Sequence, residues 1–394
     1  MKKSLIALAA LAATTAFAQS SVTISGQLDT GITSVEAGSG ATKSTQTTMN
    51  TGIHGASRLR FVGTEDMGGG NKANFWLEMQ PNFQTGSVAA DLFNRGAWLG
   101  LQGGWGELRL GRQGTNTIGA ICTIDQHGCY SGFSGGGILF SGLSAPGTTG
   151  AGWMLANPTR GGAQAPSTFN GNQFVTGTNT AATDPSTNTI KPAMPFSAAN
   201  AGIDGTRYVR AIRYSLPAFV TGLSVNATMA YGTVASATAA AAGNSSGLDI
   251  TYAAGPLAVV FATQKAEATA GANQTGELTT LGATYNLGVA KLGAGVQQEN
   301  ASGTGVAFTK GESFALTATI PLGAFTPYVK MGEHKYSGGT LGAVTNAKMS
   351  NVGVRYAMSK RTFVYADYVS NGAVMTSAST SAKSQASLGI NHSF

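Results

Sequence analysis

The feature that most constrains this chain is a period-2 alternation of apolar with small or polar residues, which recurs from Gln19 onward. Leu223 and Val225, for example, flank Ser224. Successive side chains of a β-strand point to opposite faces, so the pattern predicts strands with one apolar face. The other face is rich in Gly, Ser, Thr and Asn rather than in the bulky residues of a packed core. This combination suits lipid on the outside and water on the inside.

Composition excludes several alternatives. Charged residues make up 10% of the 394 residues, against about 25% in an average soluble domain, while aromatic residues still make up 8%. A highly charged nucleic-acid binder and an ordinary disordered tail therefore both fit badly. After the first dozen residues, no apolar run approaches the roughly 18 residues that a membrane-spanning helix needs. Two classes remain: an unusual secreted repeat protein and a β-barrel of a bacterial outer membrane.

Residues 1–18 are predicted to be a signal peptide. Two lysines open the segment, a short apolar stretch follows, and Ala16-Phe17-Ala18 forms a small-x-small cleavage site. Residues 19–394 are then expected to form one barrel domain. Loss of the two lysines lowers the formal net charge from +7 to +5, which is too modest for nucleic-acid binding.

The breaks between alternating segments predict the topology. Seven connections are short: 63–72, 103–106, 215–222, 254–256, 286–289, 321–324 and 358–361. Eight are longer and rich in Gly, Ser, Ala, Thr and Asn: 33–56, 81–94, 114–205, 232–247, 265–277, 300–311, 333–348 and 370–383. Together they join sixteen antiparallel strands, an even number that closes without a free edge. The predicted fold class is therefore all-β, a sixteen-stranded transmembrane barrel around an aqueous channel.

Several motifs occur in a characteristic order. They are Gln19-Ser20-Ser21-Val22-Thr23, Ser57-Arg58-Leu59, Gly63-Thr64-Glu65-Asp66-Met67-Gly68-Gly69-Gly70, Phe75-Trp76-Leu77-Glu78, Leu108-Arg109-Leu110-Gly111-Arg112, Tyr356-Ala357-Met358-Ser359-Lys360-Arg361-Thr362 and the terminal Phe394. In this order and spacing the chain resembles the general porins of β-proteobacteria such as Bordetella, Burkholderia and Neisseria. The resemblance covers the mature chain except the inner part of the third long loop.

The resemblance implies a homotrimer of barrels in the Gram-negative outer membrane, in contact with lipid and lipopolysaccharide. Such channels are commonly anion-selective and pass small hydrophilic solutes passively. In porins a segment of the third long loop, here residues 114–205, folds into the barrel and narrows it, and residues 130–205 are expected either to follow it inward or to lie on the surface. The resemblance also implies that a terminal aromatic residue, here Phe394, is an assembly signal for the barrel-insertion machinery. The simpler alternative for Phe394 is membership of the interfacial aromatic girdle.

Basic residues recur in the phase opposite to the apolar face. An arginine on the lipid face near mid-bilayer costs on the order of 2 to 4 kcal/mol, so these side chains are expected to point into the lumen. The alternative is a position near a strand end, among headgroups or in a turn. The residues concerned are Arg58, Arg60, Arg109, Arg207, Arg213, Lys291 and Arg355.

The resemblance places Arg58, Arg95 and Arg207 at the basic side of a pore constriction. Arg95 shares its phase with apolar neighbours, so it must precede a regular strand or lie at a bulge. Glu78 is expected to lie opposite these arginines, with Asp125 of the third loop as a companion. Opposed charges across a narrow aperture orient dipolar solutes and favour ions of the majority sign. Because basic candidates outnumber acidic ones, the sequence predicts anion preference.

The two cysteines, Cys122 and Cys129, lie close together in the third loop. An exported protein enters an oxidising compartment, so we expect a disulfide that stiffens the loop. The alternatives are two free thiols or a metal pair with His127, which would lack a fourth ligand at typical zinc spacing. No metal or other cofactor is predicted.

Enzymatic activity is not expected. It would require a nucleophile, a base and an orienting group that converge in space. The histidines are His54, His127, His334 and His392, and none lies in a catalytic or metal-binding motif. The predicted function is therefore passive diffusion of small anionic or polar solutes. The alternatives are a porin specific for one solute, such as a dicarboxylate or phosphate, and an adhesive or structural barrel whose third loop binds a partner.

Overall fold

The computed structural model describes the barrel strands and the start of the third loop. The described residues are 21–37, 44–82, 85–88, 92–125, 203–204, 207–232, 243–268, 274–303, 309–338, 345–371 and 382–394. The predicted signal peptide, Cys129 and His127 lie outside them. Among the described residues, no helix is long and apolar enough to cross a bilayer.

The described chain consists almost entirely of β-strands. Their bounds are β1 (Ser21–Ala37), β2a (Ser44–Thr51), β2b (Arg58–Gly68), β3 (Asn71–Met79), β4 (Gly96–Gly103), β5 (Gly106–Gly114), β6 (Arg207–Ser215), β7 (Leu223–Ala230), β8 (Ser245–Ala254), β9 (Leu257–Ala268), β10 (Gln274–Asn286), β11 (Lys291–Ser302), β12 (Lys310–Thr319), β13 (Phe325–Ser337), β14 (Thr345–Ala357), β15 (Thr362–Asn371) and β16 (Ala382–Ser393). A two-residue strand, Ile203–Asp204, pairs with β6. One helix, α1 (Asn116–Ile124), follows β5.

The strands close into a barrel. Both β2a and β2b pair with β1, so they are two parts of one barrel strand. Each strand pairs antiparallel with its sequence neighbour, and β1 pairs with β16 in the register Gln27↔Ser393. Counted in this way, the described residues form sixteen barrel strands without a free edge. The predicted fold class is confirmed.

Several strands are longer than the sequence pattern predicts. The predicted connection 63–72 contains strand residues through Gly68, because Thr64 pairs with Asn74 and Asp66 with Lys72. At the opposite end of the barrel, the neighbouring strand β1 continues to Ala37 inside the predicted loop 33–56. These strand ends carry polar residues on both faces, so alternation does not mark them. Cross-strand hydrogen bonds extend the strands nonetheless.

The barrel has the reverse polarity of a water-soluble domain. Large apolar side chains cover the outer face, where Leu99 is 59% and Leu388 is 64% exposed. The inner face carries buried polar and charged side chains such as Gln297, Glu299 and Lys330. Burial of polar groups is costly unless they are hydrogen-bonded. This distribution fits an outer face in contact with lipid and an inner face in contact with water or with the inward-folded segments.

Helix α1 lies against the inner wall. Asn116, at its start, donates to Asn226 O of β7 at 3.2 Å, and Thr117 donates to Gln264 of β9 at 2.5 Å. At its end, Ile124 lies so close to Gly295 of β11 that a Cβ there would be 2.5 Å from Ile124 Cδ1. Helix α1 therefore packs along the wall from β7 to β11 because that wall has small residues where the helix has bulky ones.

A second segment folds inward between β2a and β2b. Residues 52–57, the infold, are all buried. His54 N donates to Asp29 Oδ1 at 3.1 Å, and the His54 ring lies 5.0 Å from that of Tyr365. Asp29 also accepts hydrogen bonds from Tyr365 Oη at 3.0 Å and Asn391 Nδ2 at 2.8 Å. The infold therefore covers the inner face of β15, β16 and β1 with a hydrogen-bonded polar cluster.

Candidate functional site

The shortest ion pair among the described residues joins Arg95 to Glu78. Arg95 Nε donates to Glu78 Oε1 at 2.5 Å, and Arg95 Nη1 donates to Gln80 Oε1 at 2.8 Å. Arg207 Nε donates to the Arg95 carbonyl oxygen at 2.6 Å. Glu78, Arg95 and Arg207 are each 6% exposed. Two arginines that are distant in sequence are thus held together at one level of the barrel.

Two further arginines from β2b complete the group. Arg60 Nε lies 3.8 Å from Glu78 Oε2, because Arg60 and Glu78 are cross-strand partners. Arg58 Nη2 donates to Gln27 Oε1 at 2.9 Å, and its positive charge acts on Glu78 together with that of Arg207. We call Arg58, Arg60, Arg95, Arg207 and Glu78 the arginine cluster. Four guanidinium groups and one carboxylate give it a formal charge of +3.

Local backbone structure sets the position of each member. Arg95 immediately precedes β4, and its backbone N–H donates to the Glu78 carbonyl at 3.2 Å. Its phase among apolar neighbours requires Arg95 either to precede a regular strand or to lie at a bulge, and the structure has the first arrangement. Arg207 begins β6 beside Gly114, the last residue of β5. The cluster therefore lies where β3, β4, β5 and β6 approach their outer ends.

The position of Glu78 differs from the expected one. Glu78 lies among the arginines rather than opposite to them, since β3 carries it and the neighbouring strand β2b carries Arg60. A buried carboxylate is tolerated when it is paired and hydrogen-bonded. Glu78 therefore holds the guanidinium groups in place and reduces their mutual repulsion, and it leaves the cluster with a net positive charge.

Asp125 does not join the arginine cluster. Its Oδ1 lies 2.7 Å from Lys330 Nζ of β13, and both side chains are buried. Ile118 and Gly119 of α1 line the same pocket as Arg95, whereas Asp125 lies beyond the end of the helix, roughly 9 Å further at 1.5 Å per residue. The pair with Lys330 attaches the end of α1 to the barrel wall.

A pocket of about 520 Å³ adjoins the arginine cluster. The inner faces of β2b to β6 form one side, and Thr115, Ile118 and Gly119 at the start of the inward-folded loop form another. Its charged lining residues are Glu78, Arg95, Glu107, Arg109, Arg207 and Arg213. We call this space the vestibule pocket, and its formal charge is +2.

The remaining predicted basic residues occupy different places. Arg109 pairs with Glu107 at 2.6 Å, and Arg213 Nη2 donates to the Gly114 carbonyl at 2.7 Å. Arg355 lies over the Phe363 ring at 5.4 Å, on the inner face of β14. Lys291 is the first residue of β11 and follows a short turn. Three of these four therefore lie on the inner wall, and Lys291 lies at a strand end.

Phe394 contributes to barrel closure. Its N–H donates to Gly26 O at 3.1 Å and its carbonyl accepts from Gly26 N at 3.0 Å.

Cys122 lies in the last turn of α1, and the predicted disulfide with Cys129 involves a residue outside the described part of the chain. That disulfide stays a prediction. Within the described residues, no group of three His, Cys, Asp or Glu side chains has the geometry to hold a metal ion.

Sequence reasoning missed two inner-wall residues. Lys330 alternates with the apolar Val329 and Met331, and Trp98 alternates with Ala97 and Leu99. Both therefore carry the same phase signal that identified the arginines. Trp98 stacks against Trp76 with ring centroids 6.3 Å apart, and Arg109 covers it at 4.3 Å. The alternation phase predicts which face of the barrel wall each residue occupies, but the residue that it contacts depends on the register between the strands.

Known proteins are similar to this chain in sequence and in architecture. The Gram-negative porin family matches residues 4–372. Outer membrane porin protein 32 of Delftia acidovorans is 31% identical over 376 residues, which cover 93% of this chain and 88% of that protein. An outer membrane porin protein of Bordetella pertussis is 37% identical over 160 residues, which cover 36% of this chain and 42% of that protein.

Solved structures agree on the fold. The anion-selective porin from Comamonas acidovorans superposes with a TM-score of 0.66 and 24% identity, over 95% of this chain and all of that one. Salmonella typhi OmpF superposes with a TM-score of 0.61 and 14% identity, over 95% of this chain and 97% of that one. The closed barrel, the inward-folded loop and the sequence match agree: the chain belongs to the Gram-negative porin family and is a porin of the outer membrane.

Proposed function

We propose that the protein conducts small hydrophilic solutes passively and that the arginine cluster gives the channel its preference for anions. The observation that carries this proposal is the arrangement of four guanidinium groups around the single carboxylate of Glu78. The cluster lies on the inner wall beside the vestibule pocket, which also carries a net positive charge. Arg58, Arg95 and Arg207 are its members at the constriction.

Electrostatics support this assignment. A cleft between low-dielectric walls focuses the field of the charges that line it. A cation that approaches the arginine cluster is repelled, while an anion is attracted. The name of the structurally similar porin from Comamonas acidovorans describes that protein as anion-selective, which agrees with the proposal. Family membership implies a channel rather than an enzyme, and we propose no catalytic residue.

The proposal is tested by the zero-current potential of the purified protein in a planar bilayer with a KCl gradient. We expect a sign that reports preference for Cl⁻ over K⁺. The preference should weaken between 0.1 M and 1 M salt, because the screening length falls from about 10 Å to about 3 Å. A channel that prefers K⁺ would contradict the proposed role of the arginine cluster.

Assembly and processing are separate proposals. We infer a homotrimer in contact with lipid and lipopolysaccharide, and we infer that the barrel-insertion machinery recognises Phe394 as the assembly signal. We also infer that the mature chain begins at Gln19 and that Cys122 and Cys129 form a disulfide. Cross-linking should trap three subunits. The intact mass should show loss of residues 1–18 and, without reduction, two fewer hydrogens than the reduced form. Alkylation of both cysteines in the native protein would contradict the disulfide.

A further inference from the structure

Two tryptophans and two arginines stack across four neighbouring strands on the inner wall. Arg60 lies over the Trp76 ring at 5.3 Å, the rings of Trp76 and Trp98 stack with an interplanar angle of 9°, and Arg109 lies over Trp98 at 4.3 Å. We call this row the tryptophan ladder. Passive diffusion of small ions does not require indole rings at this position, so the ladder needs a separate explanation.

Glycine makes room for the ladder. A Cβ at Gly96 would lie 2.8 Å from the indole Cδ1 of Trp76, so the Trp76 ring occupies the space above β4 where another residue would place its side chain. Both indole rings line the vestibule pocket, and both are only half-buried. The ladder therefore offers apolar ring surface to a solute inside a pocket that carries a net positive charge.

The ladder is accompanied by a buried polar group without a partner. Gln113 of β5 is 3% exposed and lines the vestibule pocket. Neither its amide nitrogen nor its amide oxygen has a hydrogen-bond partner among the described residues. A buried amide without a partner is destabilising, so such groups usually serve a ligand or an ordered water. Arg109 Nε, on the same strand, also lacks an acceptor within the described part of the barrel.

We propose that the vestibule pocket is a binding site for aromatic carboxylates. The solute's ring packs against Trp76 and Trp98, and its carboxylate accepts hydrogen bonds from Arg109 and the Gln113 amide. Arg109 contributes its Nε–H, which lacks an acceptor, because Arg109 Nη2 already donates to Glu107 Oε2 at 2.6 Å. A volume of about 520 Å³ is adequate for such a molecule. The inference rests on the proposed function, since the site must be reached through the channel.

Single-channel recordings in 0.1 M KCl with added benzoate test the site. We expect benzoate to reduce the Cl⁻ current in a saturable manner, and acetate and inorganic phosphate to do so only at concentrations at least several-fold higher. Trp98→Leu should raise the half-blocking benzoate concentration about two- to twelve-fold, because an aromatic pair contributes about 0.5 to 1.5 kcal/mol beyond area burial. The block by acetate should stay unchanged.

The matched control is Trp105→Leu. Trp105 stacks on Tyr214 beside a short turn and does not line the vestibule pocket. Its replacement should leave the benzoate block as in the unmodified protein. Gln113→Leu provides a second variant, which should fold because it removes a buried amide that lacks a partner, and should still weaken the benzoate block.

Equal block by benzoate and acetate, or by benzoate and phosphate, would overturn the aromatic site. Equal effects of Trp98→Leu and Trp105→Leu would do the same. These failures are distinct from failure of the proposed function. A channel that prefers Cl⁻ without a saturable benzoate block loses only the binding site, whereas a channel that prefers K⁺ loses the assigned role of the arginine cluster.

Discussion

The inner wall has two regions of opposite character. On β2b to β6, the arginine cluster and the vestibule pocket carry an excess of positive charge. On β7 to β13, helix α1 covers the wall, where Ile121 and Ile124 pack, and the charge of Lys330 is offset by Asp125 at 2.7 Å. The first region can act on a passing ion, and the second mainly holds a segment of chain in place.

The difference between the two regions assigns selectivity to one of them and the width of the aperture to the other. Selectivity depends on net charge that the solute can sense, and we propose that the arginine cluster supplies it. We expect the width of the aperture to depend on how far α1 extends from the wall, a distance set by the packing of Ile124 and by the Lys330–Asp125 pair. Changes in one region should therefore alter selectivity, and changes in the other should alter conductance and stability.

The largest effect is expected from Lys330→Met. This change leaves the buried Asp125 carboxylate without its cation, which typically costs about 3 to 5 kcal/mol. The end of α1 should detach from β13, the free energy of unfolding in detergent should fall, and single-channel conductance should rise. The double variant Lys330→Met/Asp125→Leu removes both charges and should recover most of the loss. If the single and double variants unfold alike, the ion pair does not attach the helix.

A smaller effect is expected from Gly295→Val. The added side chain competes with Ile124 for the same space, and overpacking typically costs about 1 to 3 kcal/mol. We expect this variant to displace α1 and to alter the single-channel conductance, with a nearly unchanged preference for Cl⁻ over K⁺. Gly104→Val is the matched control, because a Cβ at Gly104 has no neighbour within 4 Å. A large change in selectivity with unchanged conductance would refute the division between the two regions.

Arg207→Ser should have the smallest energetic effect and act on selectivity. At the dielectric constant of water, one charge about 10 Å from a passing ion attracts Cl⁻ by about 0.4 kcal/mol and repels K⁺ by about the same amount, so its loss should change the Cl⁻/K⁺ permeability ratio about fourfold. The zero-current potential in a KCl gradient measures this ratio. The control is Lys310→Ser, because Lys310 lies at the outer end of β12 and is 57% exposed beside Glu312. Equal shifts from the two variants would show that position in the cluster is irrelevant.

Alternation was sufficient to predict the barrel and the face of most residues. Leu99 and Leu101 are exposed on the outside as their phase requires, and β1 closes on β16. Alternation could not predict contacts that depend on closure and register. Arg95 precedes its strand, so its approach to Glu78 is not visible in any periodic pattern. Lys330 meets Asp125 only because α1 folds along the inside of the barrel.

The infold gives the channel a further property. His54 lies 3.5 Å from Tyr328 Oη and 3.9 Å from Asp367, so the infold reaches β13, the strand that also binds the end of α1 through Lys330. The two inward segments therefore attach to the same strand, through Tyr328 and Lys330. A change in β13 is therefore expected to displace both inward segments at once. The arginine cluster lies on or beside other strands, β2b to β6, so its charge should survive such a change.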